Sequence, residues 1–188
     1  GPLGQGFANG VGMAIAEAHL AARFNRPGHE IVNHFTYAIC SDGDLMEGIS
    51  HEAASLAGHL RLGKLICFYD DNRITIEGPI DLAYSDDVAL RFAGYDWHVE
   101  LVDDGNDLEA LSAATSRAQA ETSKPSLIIV RTHIAFGAPT KQDTSDAHGS
   151  PLGKDEIART KQAYGWPGKE PFHVPVDVLA HTRACVDR

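Results

Sequence analysis

Two apolar runs rich in β-branched and aromatic residues stand out along the chain, Phe35-Thr36-Tyr37-Ala38-Ile39-Cys40 and Leu65-Ile66-Cys67-Phe68-Tyr69. Neither shows the strict apolar–polar alternation of a half-solvated strand, so both read as strands buried on both faces of a parallel sheet. Between and around them the spacing turns helical. Residues 5–24 carry small and apolar side chains every three or four positions and end at the turn Arg26-Pro27-Gly28. A second helix is predicted over 49–60, with Ala53, Ala54, Leu56, Ala57 and Leu60 as its apolar stripe. Residues 41–48 read as a loop, and 73–85 as another around Gly78-Pro79. A short helix follows over 86–93, a strand over 97–102, a helix over 107–122 with Asn106 as its N-cap, and a strand over 127–131. The glycine- and proline-broken loop 136–153 precedes a last helix over 154–164, and a loop of that length is commonly functional or disordered. The tail 166–188, punctuated by Pro167, Pro171 and Pro175, reads as a linker. The alternation of strands and helices predicts a three-layer α/β/α domain with a mostly parallel sheet over residues 1–165.

The strand ends carry the candidate chemistry. Ser41-Asp42-Gly43-Asp44 follows the first run and Asp71-Asn72-Arg73-Ile74 the second. Asp42 and Asn72 therefore lie at the carboxyl ends of two strands, where open α/β sheets bind their ligands. Either residue alone fits a turn. Together, one strand–helix–strand unit apart, they offer a carboxylate and an amide oxygen, and with a nearby backbone carbonyl they make a hard, oxygen-only set suited to Mg2+ or Ca2+.

Composition narrows the partners. The chain has 188 residues, 43% of them hydrophobic and 22% charged, which suits one soluble domain with a real core. A net charge of -10 argues against nucleic acid or an anionic membrane as the main partner. It leaves room for an anionic ligand held through a metal. Cys40, Cys67 and Cys185 are odd in number and lack CxxC spacing, so reduced thiols in a cytoplasmic protein are expected. No apolar stretch is long enough to span a bilayer. The chain opens without an initiator methionine or a signal peptide, as a piece truncated at its N-terminal side would.

With these pieces assembled, the sequence resembles the thiamine-diphosphate-binding N-terminal domain of the transketolase family. Gly1-Pro2-Leu3-Gly4-Gln5-Gly6, which alone matches a protease-cleavage remnant, continues into Ala8-Asn9-Gly10-Val11-Gly12-Met13-Ala14 and so resembles the family's glycine-proline-leucine loop. Asp42-Gly43-Asp44-Leu45-Met46-Glu47-Gly48 and Asp70-Asp71-Asn72-Arg73-Ile74 resemble the two halves of its cofactor motif, and His148-Gly149-Ser150-Pro151-Leu152-Gly153 its histidine loop. The resemblance implies that Asp42 and Asn72 give side-chain oxygens, and Ile74 its carbonyl, to a Mg2+ or Ca2+ ion. Two diphosphate oxygens and a water would complete an octahedron. It implies a Gly43 N–H to the diphosphate, Gly1 and Leu3 against the aminopyrimidine and thiazolium rings, Glu47 in an acidic network joining two cofactor sites across a homodimer, and His148 in proton transfer at the reacting carbon. The implied reaction moves a two-carbon ketol unit from a ketose phosphate to an aldose phosphate. Ser41 stands where the family usually has glycine; if that position needed positive φ, serine would cost about 1 kcal/mol or more. The family's histidines ahead of the first loop, and its pyrimidine-binding domain with a glutamate and phosphate-gripping arginines, lie outside the sequence. The chain alone is therefore expected to be inactive, with 166–188 leading toward that domain. Rival readings are a dihydroxyacetone synthase, a deoxyxylulose-phosphate synthase, one subunit of a split enzyme, or a cofactor-binding module without catalysis.

Overall fold

A computed structural model describes residues 2–168 and 170–186. It is an α/β/α sandwich around a four-stranded, all-parallel sheet. In chain order the elements are α1 (Gln5–Phe24), β1 (Thr36–Ser41), α2 (Asp42–Met46), α3 (Gly48–His59), β2 (Leu65–Asp71), β3 (Ile74–Thr75), β4 (Gly78–Pro79), α4 (Val88–Gly94), β5 (His98–Val102), α5 (Leu108–Ala120), β6 (Ser126–Arg131), α6 (Lys154–Ala163) and α7 (Val176–Val186). The strand order is β1-β2-β6-β5. Parallel pairing brings the carboxyl ends of β1 and β2 side by side, with Cys40 opposite Tyr69 and Ser41 opposite Asp70.

One face of the sheet is covered by α1, α3 and α4 and the other by α5. Helix α1 lies close on β1 and β2 because Phe7, Gly10, Val11, Ala14 and Glu17 recur at helical spacing on its buried side. A Cβ at Gly10 would stand 3.4 Å from the Cβ of Ala38, so glycine there sets the helix–sheet distance. Glu17, buried at the end of that stripe, is neutralised by Lys64 at 2.7 Å. Beneath these helices Phe7, Phe92 and Trp97 form an aromatic cluster, and the Trp97 indole N–H donates to the Ala54 carbonyl at 2.8 Å.

The structure corrects several sequence expectations. The loop over 41–48 contains the short helix α2, and the 73–85 loop contains the β3–β4 pair and a single 3-10 turn. The N-cap of α5 is Asp107, whose carboxylate accepts the Ala110 N–H at 2.9 Å, while Asn106 pairs with Asp104. On α3 the buried stripe is Ala53, Ala54 and Ala57, whereas Leu56 and Leu60 are each 45% exposed: the helical step carries Leu56 off the buried side, and Leu60 is the C-cap, past the last helical residue. Strand β1 is buried on one face only: Tyr37 and Ile39 point away from α1 and are exposed, because β1 is the edge strand and α5 packs on β2, β5 and β6. Within the 166–188 stretch the chain forms α7, whose described residues are all exposed. Cys40 and Cys67 are buried free thiols and Cys185 is an exposed one. Among the described residues no helix is long and apolar enough to cross a membrane.

Candidate functional site

The carboxyl ends of β1 and β2 open into a cleft of about 330 Å³ lined by Leu3, Asp42, Gly43, Asn72, Ile74 and His148, together with Ser41, Met46, Thr75 and Ile76. Six positions singled out from sequence thus meet in one space, although they lie on four separate segments. Gly1 lies outside the described residues. Glu47 is not brought into the cleft: it is exposed, caps α3 at its N-terminus, and its carbonyl accepts the Ser50 N–H at 3.0 Å.

Asp42 is the first residue of α2 and is 3% exposed. Its Oδ1 accepts a short hydrogen bond from the Tyr69 phenol at the end of β2. Its Oδ2 is buried and has no hydrogen-bond partner among the described residues. Loss of hydration on burial pushes the Asp42 carboxyl up to about 6; the Tyr69 hydrogen bond opposes the shift, and the Asp71 and Asp70 carboxylates reinforce it. A buried carboxylate with an orphaned oxygen and like-charged neighbours is what a cation would relieve. The donors nearby are also oxygens. Asn72 Oδ1 accepts the Ile74 N–H at 2.9 Å and has a second lone pair to give, while its Nδ2 is turned to Asp70 at 3.1 Å. Ile74 pairs with Pro79, which has no N–H to donate to the Ile74 carbonyl. The set suits a hard divalent cation.

Tyr69 was legible only as a strand residue. Buried at 4% exposure, its phenol needed a partner, which was the available signal. Burial, the Asp42 hydrogen bond and the Asp42 charge push its pKa far above the ordinary phenol value, so it remains a donor. The Cys40 thiol beside it is pushed up by burial and by the Asp44 and Asp42 charges and stays unionised.

Asp44 is the second residue that sequence reading passed over. Its Oδ1 accepts the Gly4 N–H at 2.9 Å, and its Oδ2 accepts the Ser41 N–H at 2.9 Å and the Ser41 hydroxyl at 3.1 Å. One carboxylate therefore ties the N-terminal loop to the start of α2, and the Ser-x-x-Asp spacing of a capping box was its signal. Gly4 has φ +72°, and a Cβ there would stand 2.8 Å from both Ile49 Cγ2 and Ser50 Oγ, so the loop closes only on glycine. Held this way, Leu3 lies over Gly43, where an added Cβ would be 3.1 Å from its Cδ1. Ser41 has φ -122°, an extended conformation open to any residue, so replacing the family glycine brings no backbone strain.

His148 is exposed and reaches the cleft from the long loop, just after a 3-10 turn in which its N–H donates to the Ser145 carbonyl at 2.9 Å. The first half of the loop is anchored from both flanks. His133 Nδ1 is 2.8 Å from Asp143, and the Glu156 carboxylate on α6 accepts the Thr140 N–H at 2.7 Å.

Residues 1–188 match the sequence model of a family described as "Transketolase, thiamine diphosphate binding domain". The chain is similar to the transketolase of Geobacillus stearothermophilus, with 56% identity over 99% of this chain and 28% of that protein. It is similar to the transketolase of a Nostoc species, with 58% identity over 100% of the chain and 28% of that protein. Its fold matches a Pichia stipitis transketolase solved in complex with sedoheptulose-7-phosphate, with a TM-score of 0.95 at 45% identity, covering 100% of this chain and 28% of that one. The chain thus spans little more than a quarter of the length of these relatives.

Proposed function

The chain belongs to the transketolase family, as its thiamine diphosphate binding domain, and from that premise we propose that it anchors the cofactor's diphosphate through a divalent metal in a ketol-transferring enzyme. The observation that carries this reading is the buried Oδ2 of Asp42, unpartnered among the described residues, in a cleft that Asp42 shares with Asn72 and Ile74. Asp42, Asn72 Oδ1 and the Ile74 carbonyl would hold Mg2+ or Ca2+, and the Gly43 N–H would donate to the diphosphate. Leu3, and Gly1 outside the described residues, would pack against the cofactor rings, with Met46, Ile74 and Ile76 as further apolar lining of the cleft. When bound, the cofactor supplies the carbon nucleophile that takes a two-carbon ketol unit from a ketose phosphate and passes it to an aldose phosphate.

His148 would hold or move a proton at the sugar's reacting end, a task for which imidazole is suited near neutral pH. Its exposure leaves it reachable by a substrate entering the cleft. The remaining groups come from elsewhere: a pyrimidine-binding domain of a second copy would supply the glutamate facing the aminopyrimidine, in a homodimer, with Glu47 on the exposed side of α2–α3 facing that partner. The isolated chain would then bind the cofactor without turning over sugars, and 166–188 would lead toward the further domain.

Isothermal titration of the chain with thiamine diphosphate tests the reading. Binding is expected only when Mg2+ or Ca2+ is present; metal-independent binding, or none with metal, overturns the anchoring role. Ketol transfer by the 188-residue chain alone would overturn the need for a second domain.

A further inference from the structure

We propose that Asp70 and Thr132 are positioning residues of this cleft: the Asp70 carboxylate, held by the Thr132 hydroxyl, turns the Asn72 amide so that its oxygen, and not its nitrogen, faces the cation. The proposal rests on the cofactor-anchoring reading above. It adds two residues that are not metal ligands, and Thr132 lies outside every stretch that carries the family resemblance.

The two ends of an asparagine amide have nearly the same shape, yet only the oxygen can bind a cation. In this chain each end meets a group with a single role. The Ile74 N–H can only donate, and it donates to Asn72 Oδ1 at 2.9 Å. The ionised Asp70 carboxylate can only accept, and its Oδ2 accepts from Asn72 Nδ2 at 3.1 Å. Both partners select the same orientation. A flipped amide would set donor against donor at Ile74 and oxygen against carboxylate at Asp70, and would turn its N–H groups toward the ion.

Asp70 is itself fixed from the neighbouring strand. Thr132, one residue past the end of β6, donates its hydroxyl to Asp70 Oδ1. With that oxygen engaged, Oδ2 is the one left for Asn72. The backbone on either side is stitched as well. The Thr132 N–H donates to the Asp71 carbonyl at 3.2 Å, one step beyond the paired Asp71 and Arg131, and the Arg131 guanidinium donates to the same carbonyl at 2.7 Å. A relay of hydrogen bonds thus runs from β6 through Asp70 to Asn72. Neither Asp70 nor Thr132 lines the cleft, so their hydrogen bonds reach the cation site through Asn72.

The experiment titrates Mg2+ by calorimetry into the chain and its variants at saturating thiamine diphosphate. Thr132→Val keeps the shape and every charge but loses the hydroxyl; Thr132→Ser keeps the hydroxyl. Mg2+ affinity is expected to fall on the order of tenfold in Thr132→Val, the usual size of effects from groups that orient a metal ligand, and to stay within about twofold in Thr132→Ser. The exchanged chain Asp70→Asn/Asn72→Asp separates orientation from general damage. Its net charge is unaltered, and position 72 offers an oxygen whichever way it turns. Adding Thr132→Val to it should therefore change the affinity by less than about twofold. The positioning role is overturned, with the anchoring reading intact, by an unchanged affinity in Thr132→Val or by an equal loss in Thr132→Ser. It is overturned equally if Thr132→Val weakens the exchanged chain as much as the unaltered one, or if the exchanged chain folds in urea melts yet binds no Mg2+. Where the exchanged chain does not fold, the contrast between Thr132→Val and Thr132→Ser decides alone. Metal-dependent binding absent from the unaltered chain overturns the anchoring reading and this proposal with it.

Discussion

Replacing Asp42 with asparagine separates what the residue does for the cofactor from what it does to the fold. In the metal-free chain burial raises the Asp42 carboxyl from 3.8 to about 6. An acid whose folded-state value lies above its unfolded value favours the fold at low pH, where both states hold the proton. That contribution fades as pH rises between the two values and is gone above the folded one. A shift of about two units corresponds to about 3 kcal/mol at full weight; solvent at the mouth of the cleft screens it to about 1–2 kcal/mol. Asparagine keeps an oxygen for the Tyr69 phenol but places an unpartnered amide where Oδ2 was, a pH-independent cost of about 1–3 kcal/mol. The absolute stability of the variant is therefore a poor guide, and its pH dependence is the informative quantity. Urea melts of the chain and of Asp42→Asn, without metal, at pH 5 and pH 8 should show the difference between them moving by about 0.5–1 kcal/mol in the variant's favour at the higher pH, since pH 5 already lies partway through the window, or roughly 1–4 °C in melting temperature. With Mg2+ and thiamine diphosphate at a hundred times their dissociation constant the unaltered chain should gain about 2.7 kcal/mol, and the variant nothing. A stability difference that does not change with pH, or a variant still stabilised by the metal, would refute the account of Asp42 as a carboxylate held in readiness for a cation.

Other changes probe the scaffold. Gly4→Ala forces a Cβ at φ +72° into Ile49 and Ser50 and should cost about 2–3 kcal/mol in denaturant melts. Asp44→Ala breaks the tie among Gly4, Ser41 and α2 and should cost about 1–3 kcal/mol; calorimetry should show weaker metal-dependent cofactor binding as well, because Leu3 is no longer held over Gly43. Phe92→Ala, in the aromatic cluster under α1, should cost about 3–5 kcal/mol while leaving any bound cofactor's metal requirement unchanged. His148→Ala, at an exposed loop position, should stay within about 0.5 kcal/mol of the unaltered stability, yet in a complete relative's equivalent loop it should lower ketol-transfer turnover by about 10²–10⁴-fold.

How much of this was readable beforehand depended on whether the determining interaction was local. The apolar runs ending at Cys40 and Tyr69 marked two strand ends, and strand ends in a parallel sheet share one side, so Asp42 and Asn72 could be brought together without any knowledge of side-chain packing. Helix α2 could not be found in this way. Its five residues include two aspartates and a glycine, poor helix formers, and it is held by Ser41 and by the distant Gly4 N–H on Asp44. The exposure of Ile39 and Leu56 was equally hidden. An edge strand and a central strand can share one apolar pattern, and a helix stripe cannot say where the covering layer stops.

Tyr69 shows the deeper limit. Its place in an apolar run is fully explained by the core, and nothing in the run distinguishes a ring that merely fills space from one whose hydroxyl meets a carboxylate. The distinction arises in the register, where β1 and β2 pair so that Cys40 faces Tyr69 and α2 begins two residues on. Moving β2 by one residue against β1 would send the phenol to the other face of the sheet, toward α5, and leave both oxygens of Asp42 unpartnered. The register that packs the core is thus also the register that brings the Tyr69 phenol to the Asp42 carboxylate.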